Sequence, residues 1–142
     1  MGFKTREKMN IETGNKIIKY ISEKDSEKLK YLFSKEVIST ELTLSKDIEQ
    51  LFDFCDGYIR SYEKISMGME TDVDKEQNTT VFNTKYRFVI NDTPYLLYYI
   101  YTPKNTYNPK KEGLQSIKII KEIDADRYFC YWNEMKLGIF TP

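Results

Sequence analysis

The run YLLYYIY at residues 95–101 constrains the fold more than any other feature of the sequence. Aromatic and branched residues at this density are typical of a β-strand. Because successive side chains of a strand point to opposite faces, this strand carries bulky side chains on both of its faces. Each face must therefore be covered by another part of the chain, or must line a cavity.

The chain reads as helices first and strands second. Apolar residues recur at helical spacing in three segments, which begin near Asn10, at Asp25 or Ser26, and after Ser45. The third helix carries an apolar stripe that includes Cys55, and Gly57 is well placed to end it. We expect an irregular connection over residues 34–44.

From Tyr58 onward the apolar period changes from 3.6 to 2, which indicates strands. We expect strands at 58–67, 80–90, 95–101 and 114–123, joined by a tight turn and by two polar hairpin loops at 68–79 and 102–113. Helices followed by a meander of strands predict an α+β fold, in which three N-terminal helices pack on a curved, mostly antiparallel sheet.

The length of 142 residues favours a single domain over the whole chain, residues 1–142. Residues 1–9 carry charges and no apolar run, so we expect them to be flexible and not to form a signal peptide. Residues 124–142 are rich in aromatic side chains, unlike a disordered tail. We therefore expect the segment from Tyr128 to Trp132 to be ordered and largely buried.

Charge and cysteine content narrow the classes of function. The 22 basic and 22 acidic residues balance, and no basic stripe marks a nucleic-acid site. No stretch reaches the roughly 18 apolar residues of a membrane span. Two cysteines are too few for a zinc site or a disulfide scaffold, and we expect Cys55 to be buried. We expect no cofactor.

Alternating acidic residues in the 68–79 loop, namely Asp72, Asp74 and Glu76, have a spacing similar to that of calcium ligands. The loop lacks the central glycine and the terminal glutamate of the helix-loop-helix calcium motif. We therefore expect a solvated loop and no metal site.

Four segments carry a resemblance to a known group of proteins: EKDSEKLKYLFS at 23–34, IEQLFDFCDG at 48–57, KYRF at 85–88 and GLQSI at 113–117. Over about residues 10–123 the chain resembles an uncharacterised bacterial family of the nuclear-transport-factor-2-like (SnoaL-like, cystatin-like) superfamily. The resemblance implies a cone-shaped fold with a pocket between sheet and helices. Members of that family are often small lipoproteins with a lipidated cysteine near the start, which this sequence lacks. As given, the chain is expected to be soluble, and the resemblance implies an extracytoplasmic lipoprotein only with a leader that is absent here.

Enzymes of this superfamily use His, Asp and Tyr in an apolar pocket. The chain has no histidine, which excludes a His/Asp pair. An isomerase-like pair remains open, with Asp56 as the base and Tyr86 or Tyr99 as the hydrogen-bond donor. Helical geometry places Asp56 beside the apolar stripe of the third helix. The alternative is that Asp56 is an ordinary polar residue at the end of a helix, with no catalytic role.

The favoured interpretation is a non-enzymatic domain that binds a small apolar molecule or a peptide, or that forms a homodimer through its sheet. The implied pocket would be lined by aromatic side chains, with a few hydroxyl groups for orientation. The alternative is that the same aromatic residues form an ordinary hydrophobic core without a pocket. The expected lining is Phe54, Tyr58, Tyr86, Phe88, Tyr99 and Tyr101.

Overall fold

The computed structural model describes residues 2–74 and 77–142. The described chain is α+β, with four α-helices on one open, mostly antiparallel sheet of five strands. The helices are α1 (Phe3–Glu23), α2 (Ser26–Lys30), α3 (Lys35–Thr40) and α4 (Leu44–Phe54); the strands are β1 (Ile59–Asp74), β2 (Gln77–Ile90), β3 (Thr93–Asn105), β4 (Gly113–Lys121) and β5 (Gly138–Phe140). None of the helices in the described residues is long and apolar enough to cross a membrane.

The first helix begins earlier than its apolar pattern predicts. α1 starts at Phe3 instead of near Asn10, so most of the segment expected to be flexible is helical. The buried face of this first half is polar: Arg6 donates a hydrogen bond to Thr80, and Asn10 donates one to Thr84. A buried face made of polar residues gives no apolar period, which is why the sequence pattern missed it.

A fourth helix occupies the segment that we expected to be irregular. In α3 the Ser34 side chain accepts a hydrogen bond from the Val37 N–H, and Val37 is buried. This N-cap stabilises a helix too short to show a period. The Asp25 side chain caps α2 in the same way by accepting from the Lys28 N–H at 3.2 Å.

The strands lie in sequence order, β1-β2-β3-β4-β5. Neighbouring strands from β1 to β4 are antiparallel, whereas β5 lies parallel to β4. β1 pairs only with β2 and contains two bulges, so it forms one edge of the sheet. Polar cross-strand pairs such as Thr71 with Thr80 extend β1 and β2 into the expected 68–79 loop, up to Asp74 and from Gln77 onward, because ladder hydrogen bonds need no apolar side chains.

The sheet has an inner face toward the helices and an outer face away from them. Pairs such as Tyr86 with Leu97 and Tyr99 with Ile117 belong to the inner face and to the core cluster. Tyr98 pairs with Lys85 and with Lys118 on the outer face. The inner face of β3 is therefore covered by the core, whereas Tyr98 on its outer face is only partly buried between lysine side chains.

The segment that follows β4 crosses the outer face and returns to the sheet as β5. Trp132 contacts Tyr98 edge-on, with ring centroids 5.8 Å apart, and Ile139 of β5 is buried in the core. The prediction that Tyr128 to Trp132 is largely buried was wrong, since Phe129 is 67% exposed and Tyr131 is 66% exposed. The ring contact of Phe129 is with Tyr131 of the same segment, edge-on with centroids 5.1 Å apart, so these two rings pack on each other beside a cleft and stay largely in water.

The helices and β4 are joined by their backbones. Phe33 and Leu114 form a parallel bridge, in which Leu114 N–H donates to Leu32 O and Ser34 N–H donates to Leu114 O, each at 2.9 Å. Gly113 has a φ of +128°, and a Cβ there would lie 2.8 Å from the Ser34 nitrogen. Only glycine allows this approach of two chain segments.

Candidate functional site

The six aromatic residues expected to line a pocket do not share one surface. Tyr86, Phe88 and Tyr99 are buried in the core, and Phe54 and Tyr101 pack at its margin. Tyr58 is 73% exposed and lies apart from them. None of the six lines the clefts described below.

The rings on the inner face pack against each other and against α1. Phe88 stacks on Tyr95 with centroids 5.3 Å apart, and Tyr86 lies 6.1 Å from Tyr99. A Cβ at Gly14 of α1 would lie 2.7 Å from the Tyr99 Oη and 2.8 Å from the Tyr86 ring. The helix backbone therefore occupies the space where a ligand would have to lie.

The hydroxyl groups of these tyrosines are used within the protein. Tyr99 Oη donates a hydrogen bond to Asn10 O at 2.9 Å. Burial raises the pKa of Tyr99, and burial also raises the pKa of Tyr86. Both groups therefore remain protonated near neutral pH.

Asp56 lies in surroundings unlike those of a catalytic base. Its carboxylate is mostly exposed and pairs with Lys24 Nζ at 2.5 Å. The hydrogen bond and the charge of Lys24 lower the pKa of Asp56, whereas a general base needs a pKa nearer to the working pH. Lys24 caps α1, about 15 Å along the helix from Gly14 and Tyr86, so the structure does not bring Asp56 and Tyr86 together.

The acidic residues considered as calcium ligands follow the β1 ladder. Asp72 and Asp74 are exposed at alternate positions of β1, and Glu76 is outside the described residues. Within residues 2–74 and 77–142, no three His, Cys, Asp or Glu side chains converge to hold a metal ion.

Two adjoining clefts lie between the outer face and the segment after β4. Their volumes are about 370 and about 340 Å³. We call them together the tail cleft, defined by the residues common to both: Lys118, Phe129, Cys130 and Met135. Aromatic rings from the sheet and from the tail, Tyr98, Tyr131 and Trp132, line the second of the two.

Among the described residues that line the tail cleft, Lys118 is the one basic or acidic side chain that is buried. Its side chain is anchored in β4, and the residue is 6% exposed. Lys118 Nζ donates to Tyr128 O and to Cys130 Sγ, the latter at 3.3 Å, and lies 5.0 Å from the centroid of the Tyr98 ring. Lys85 Nζ lies 5.5 Å from the same ring.

The two cysteines lie in contrasting surroundings. Cys55 is buried, as predicted, and burial raises its pKa to about 12. Cys130 is a partly exposed free thiol that lines both parts of the tail cleft. A nucleophile or a ligand contact is therefore chemically possible at Cys130 but not at Cys55.

Sequence patterns gave only part of this site. The aromatic density after residue 124 indicated a packed segment, but not the face of the sheet on which it packs. Lys118 lies within QSIKIIK, and a single lysine among isoleucines is ambiguous until the covering segment is known. The strand alternation, which separates Tyr98 from Tyr99, was the usable signal.

Comparison with known proteins gives a family and no activity. No curated protein is significantly similar to the chain. One protein family, described as Domain of unknown function (DUF5104), matches residues 16–122. The match runs from the second half of α1 through β4, and the tail side of the cleft lies beyond it. Because the match covers well over half of the sequence, the chain belongs to the DUF5104 family.

Proposed function

We propose that this protein is a non-enzymatic binding domain that takes a small apolar molecule in the tail cleft. The observation that carries the proposal is the exposure of Phe129 and Tyr131 beside a space that the protein does not fill. Exposed aromatic groups that converge on one concave surface are typical of binding sites. The clefts, of about 370 and about 340 Å³, suit a small organic molecule.

Proton-transfer catalysis has less support. The pairing of Asp56 with Lys24, and the burial of Tyr86 beneath α1, leave the proposed base and donor apart. A binding function needs no such convergence, and it uses the aromatic surface that is present.

We also infer that the fold belongs to the nuclear-transport-factor-2-like superfamily, in which helices cover one face of a curved sheet. The order of helices followed by a strand meander supports this inference. An experimental structure with a flat sheet would argue against it. Fractionation of the native producing cells tests the lipoprotein origin, and sedimentation of the purified chain tests a homodimer.

The single tryptophan makes the binding proposal directly measurable. Trp132 is the only tryptophan of the chain and lines the tail cleft, so its fluorescence reports on that surface. We expect the neutral apolar dye N-phenyl-1-naphthylamine to bind saturably and to quench Trp132 emission. Phe129→Ala should weaken binding of the dye, because it removes an exposed wall of the cleft.

The matched control is Tyr31→Ala, which removes an equally exposed aromatic group at the end of α2. This variant should bind the dye as the unmodified protein does. Non-saturable binding, or equal losses in the Phe129→Ala and Tyr31→Ala variants, would show that the tail cleft is not the binding site.

A further inference from the structure

We propose that the natural ligand of the tail cleft is a small organic carboxylate, and that Lys118 is the residue that binds its negative charge. This inference rests on the proposed binding function and adds the chemical class of the ligand. It assigns a ligand-binding role to Lys118 in addition to its contacts with Tyr128 and Tyr98.

The first support is a buried ammonium group without a carboxylate. The ion pairs among the described residues are Lys24–Asp56, Lys28–Asp25, Arg60–Asp92 and Arg87–Glu122, and none includes Lys118. A buried charge without an opposite charge is costly. An ammonium group has three donors, and the two acceptors of Lys118 are a carbonyl and a thiol.

The second support is the sign of the charge around Lys118. Lys85 lies over the same Tyr98 ring, and Lys136 lines the adjoining part of the cleft. The one lining carboxylate, Glu134, accepts a hydrogen bond from the Tyr131 N–H at 2.8 Å, which fixes it at a local turn. Grouped cations beside apolar walls attract an anion and concentrate it there.

A purely structural role for Lys118 makes a different prediction. Its bond to Tyr128 O fastens the tail, and its position over Tyr98 adds a cation–π contact. Such a role would make Lys118 important for stability but not for discrimination between charged and neutral ligands. Charge selectivity therefore separates the two roles.

The apolar walls of the cleft favour an organic anion over an inorganic one. Phe129, Met135 and Trp132 give an apolar and aromatic lining on the tail side. A ring or a short hydrocarbon body would contact these side chains while its carboxylate reaches the Lys118 ammonium. Inorganic phosphate shares the charge but leaves the apolar walls unused, so it should bind more weakly.

Two ligands of equal shape test the inference. 4-Phenylbutyrate and 4-phenylbutanamide share one carbon skeleton and nearly the same shape, but only the first carries a negative charge. Each can be titrated against the dye-loaded protein while Trp132 emission is followed. We expect the carboxylate to bind about tenfold more tightly than the amide, the range expected for one charge-assisted hydrogen bond. Inorganic phosphate should displace the dye poorly.

Lys118→Met removes the charge and keeps the hydrocarbon stem. It should abolish the tenfold preference for the carboxylate over the amide, because the charge that distinguishes the two ligands has lost its partner. Lys121→Met is the control, since Lys121 lies on the same strand outside the cleft lining. If Lys118→Met detaches the tail, seen as a changed Trp132 emission spectrum, then Lys118→Arg decides, because arginine keeps the charge and should keep the preference.

The outcomes separate the two proposals. Saturable dye binding with equal affinities for carboxylate and amide overturns the carboxylate inference and leaves the binding function standing. Absence of saturable dye binding overturns the binding function itself. Displacement by phosphate as effective as displacement by 4-phenylbutyrate shows that the site takes a bare anion and contradicts the organic class.

Discussion

Tyr98 and Tyr99 are neighbours in β3, yet they lie in opposite kinds of surroundings. Tyr99 is fully buried on the inner face, and its hydroxyl donates to a backbone carbonyl of α1. Tyr98 lies on the outer face between Lys85, Lys118 and the edge of Trp132. The same residue type thus serves as core on one face and as the floor of a cleft on the other.

The difference arises from what covers each face. α1 is a regular helix, and Gly14 lets its backbone approach the rings closely enough to leave no room. The tail forms only short 3₁₀ turns before β5, so its side chains meet the sheet unevenly. Aromatic content alone therefore does not locate a binding site, because the regularity of the covering segment decides whether space remains.

The largest contrast should appear in thiol reactivity. Cys130 in the tail cleft should react with 5,5′-dithiobis-(2-nitrobenzoate) at least about 10³ times faster than Cys55, since Cys55 is exposed only by opening that costs about 5 kcal/mol or more. Absorbance at 412 nm follows both reactions. Cys130→Ser should remove the fast phase, and both thiols should react alike in guanidinium. Two fast phases in the native protein would contradict the burial of Cys55.

Alanine substitution of one phenylalanine on each face should separate core from cleft. Phe88→Ala should lower the free energy of unfolding by about 3–5 kcal/mol, because it leaves a cavity among packed rings. Phe129→Ala should change it by less than about 0.5 kcal/mol, because most of that side chain is already in water. Urea unfolding measures both. Similar losses would mean that the tail packs as tightly as α1 does.

Gly14→Ala tests how closely α1 approaches the inner face. Alanine in a helix is favoured over glycine by about 1 kcal/mol, but the new methyl group would overlap the Tyr86 and Tyr99 rings. We expect a net loss of about 1–3 kcal/mol in thermal or urea unfolding, as for other overpacked cores. Lys16→Ala, at an exposed position of the same helix, is the control. A stabilised Gly14→Ala variant would refute the close approach.

The smallest expected effect concerns single hydroxyl groups. Tyr99→Phe should lower the free energy of unfolding by about 1 kcal/mol, because it removes the donor to Asn10 O and leaves that buried carbonyl without this partner. Tyr98→Phe should cost less than about 0.5 kcal/mol at its partly exposed position. Equal losses in the free energy of unfolding, measured with urea, would show that a tyrosine hydroxyl contributes the same stability on both faces.

Local periodicity predicted the parts of the fold that local side chains determine. The apolar stripe of α4 and the alternation of β2 appear in the structure much as the sequence indicates, and the α+β class is confirmed. The start of α1 was missed because Arg6 and Asn10 form its buried side. The ends of β1 and β2 were missed because polar residues pair through the backbone alone.

The candidate site was harder to predict because it is made by distant segments. Tyr98 and Lys118 come from the sheet, while Phe129, Cys130 and Trp132 come from a tail whose path no local pattern specifies. For the inner pocket that we expected, the residues were predictable but the empty space was not. Its rings were identified from their strand pattern, but whether α1 leaves space above them depends on one glycine contact.

The backbone bridge between Phe33 and Leu114 has a consequence for the order of synthesis. α2 and α3 leave the ribosome long before β4 does, and neither has its strand partner until then. Helices this short are marginal in water on their own. α2 and α3 should therefore remain unstructured during translation and fold only when β4 is complete. Contacts of such long sequence separation slow folding, so chains stalled before β4 should be readily cleaved by proteases.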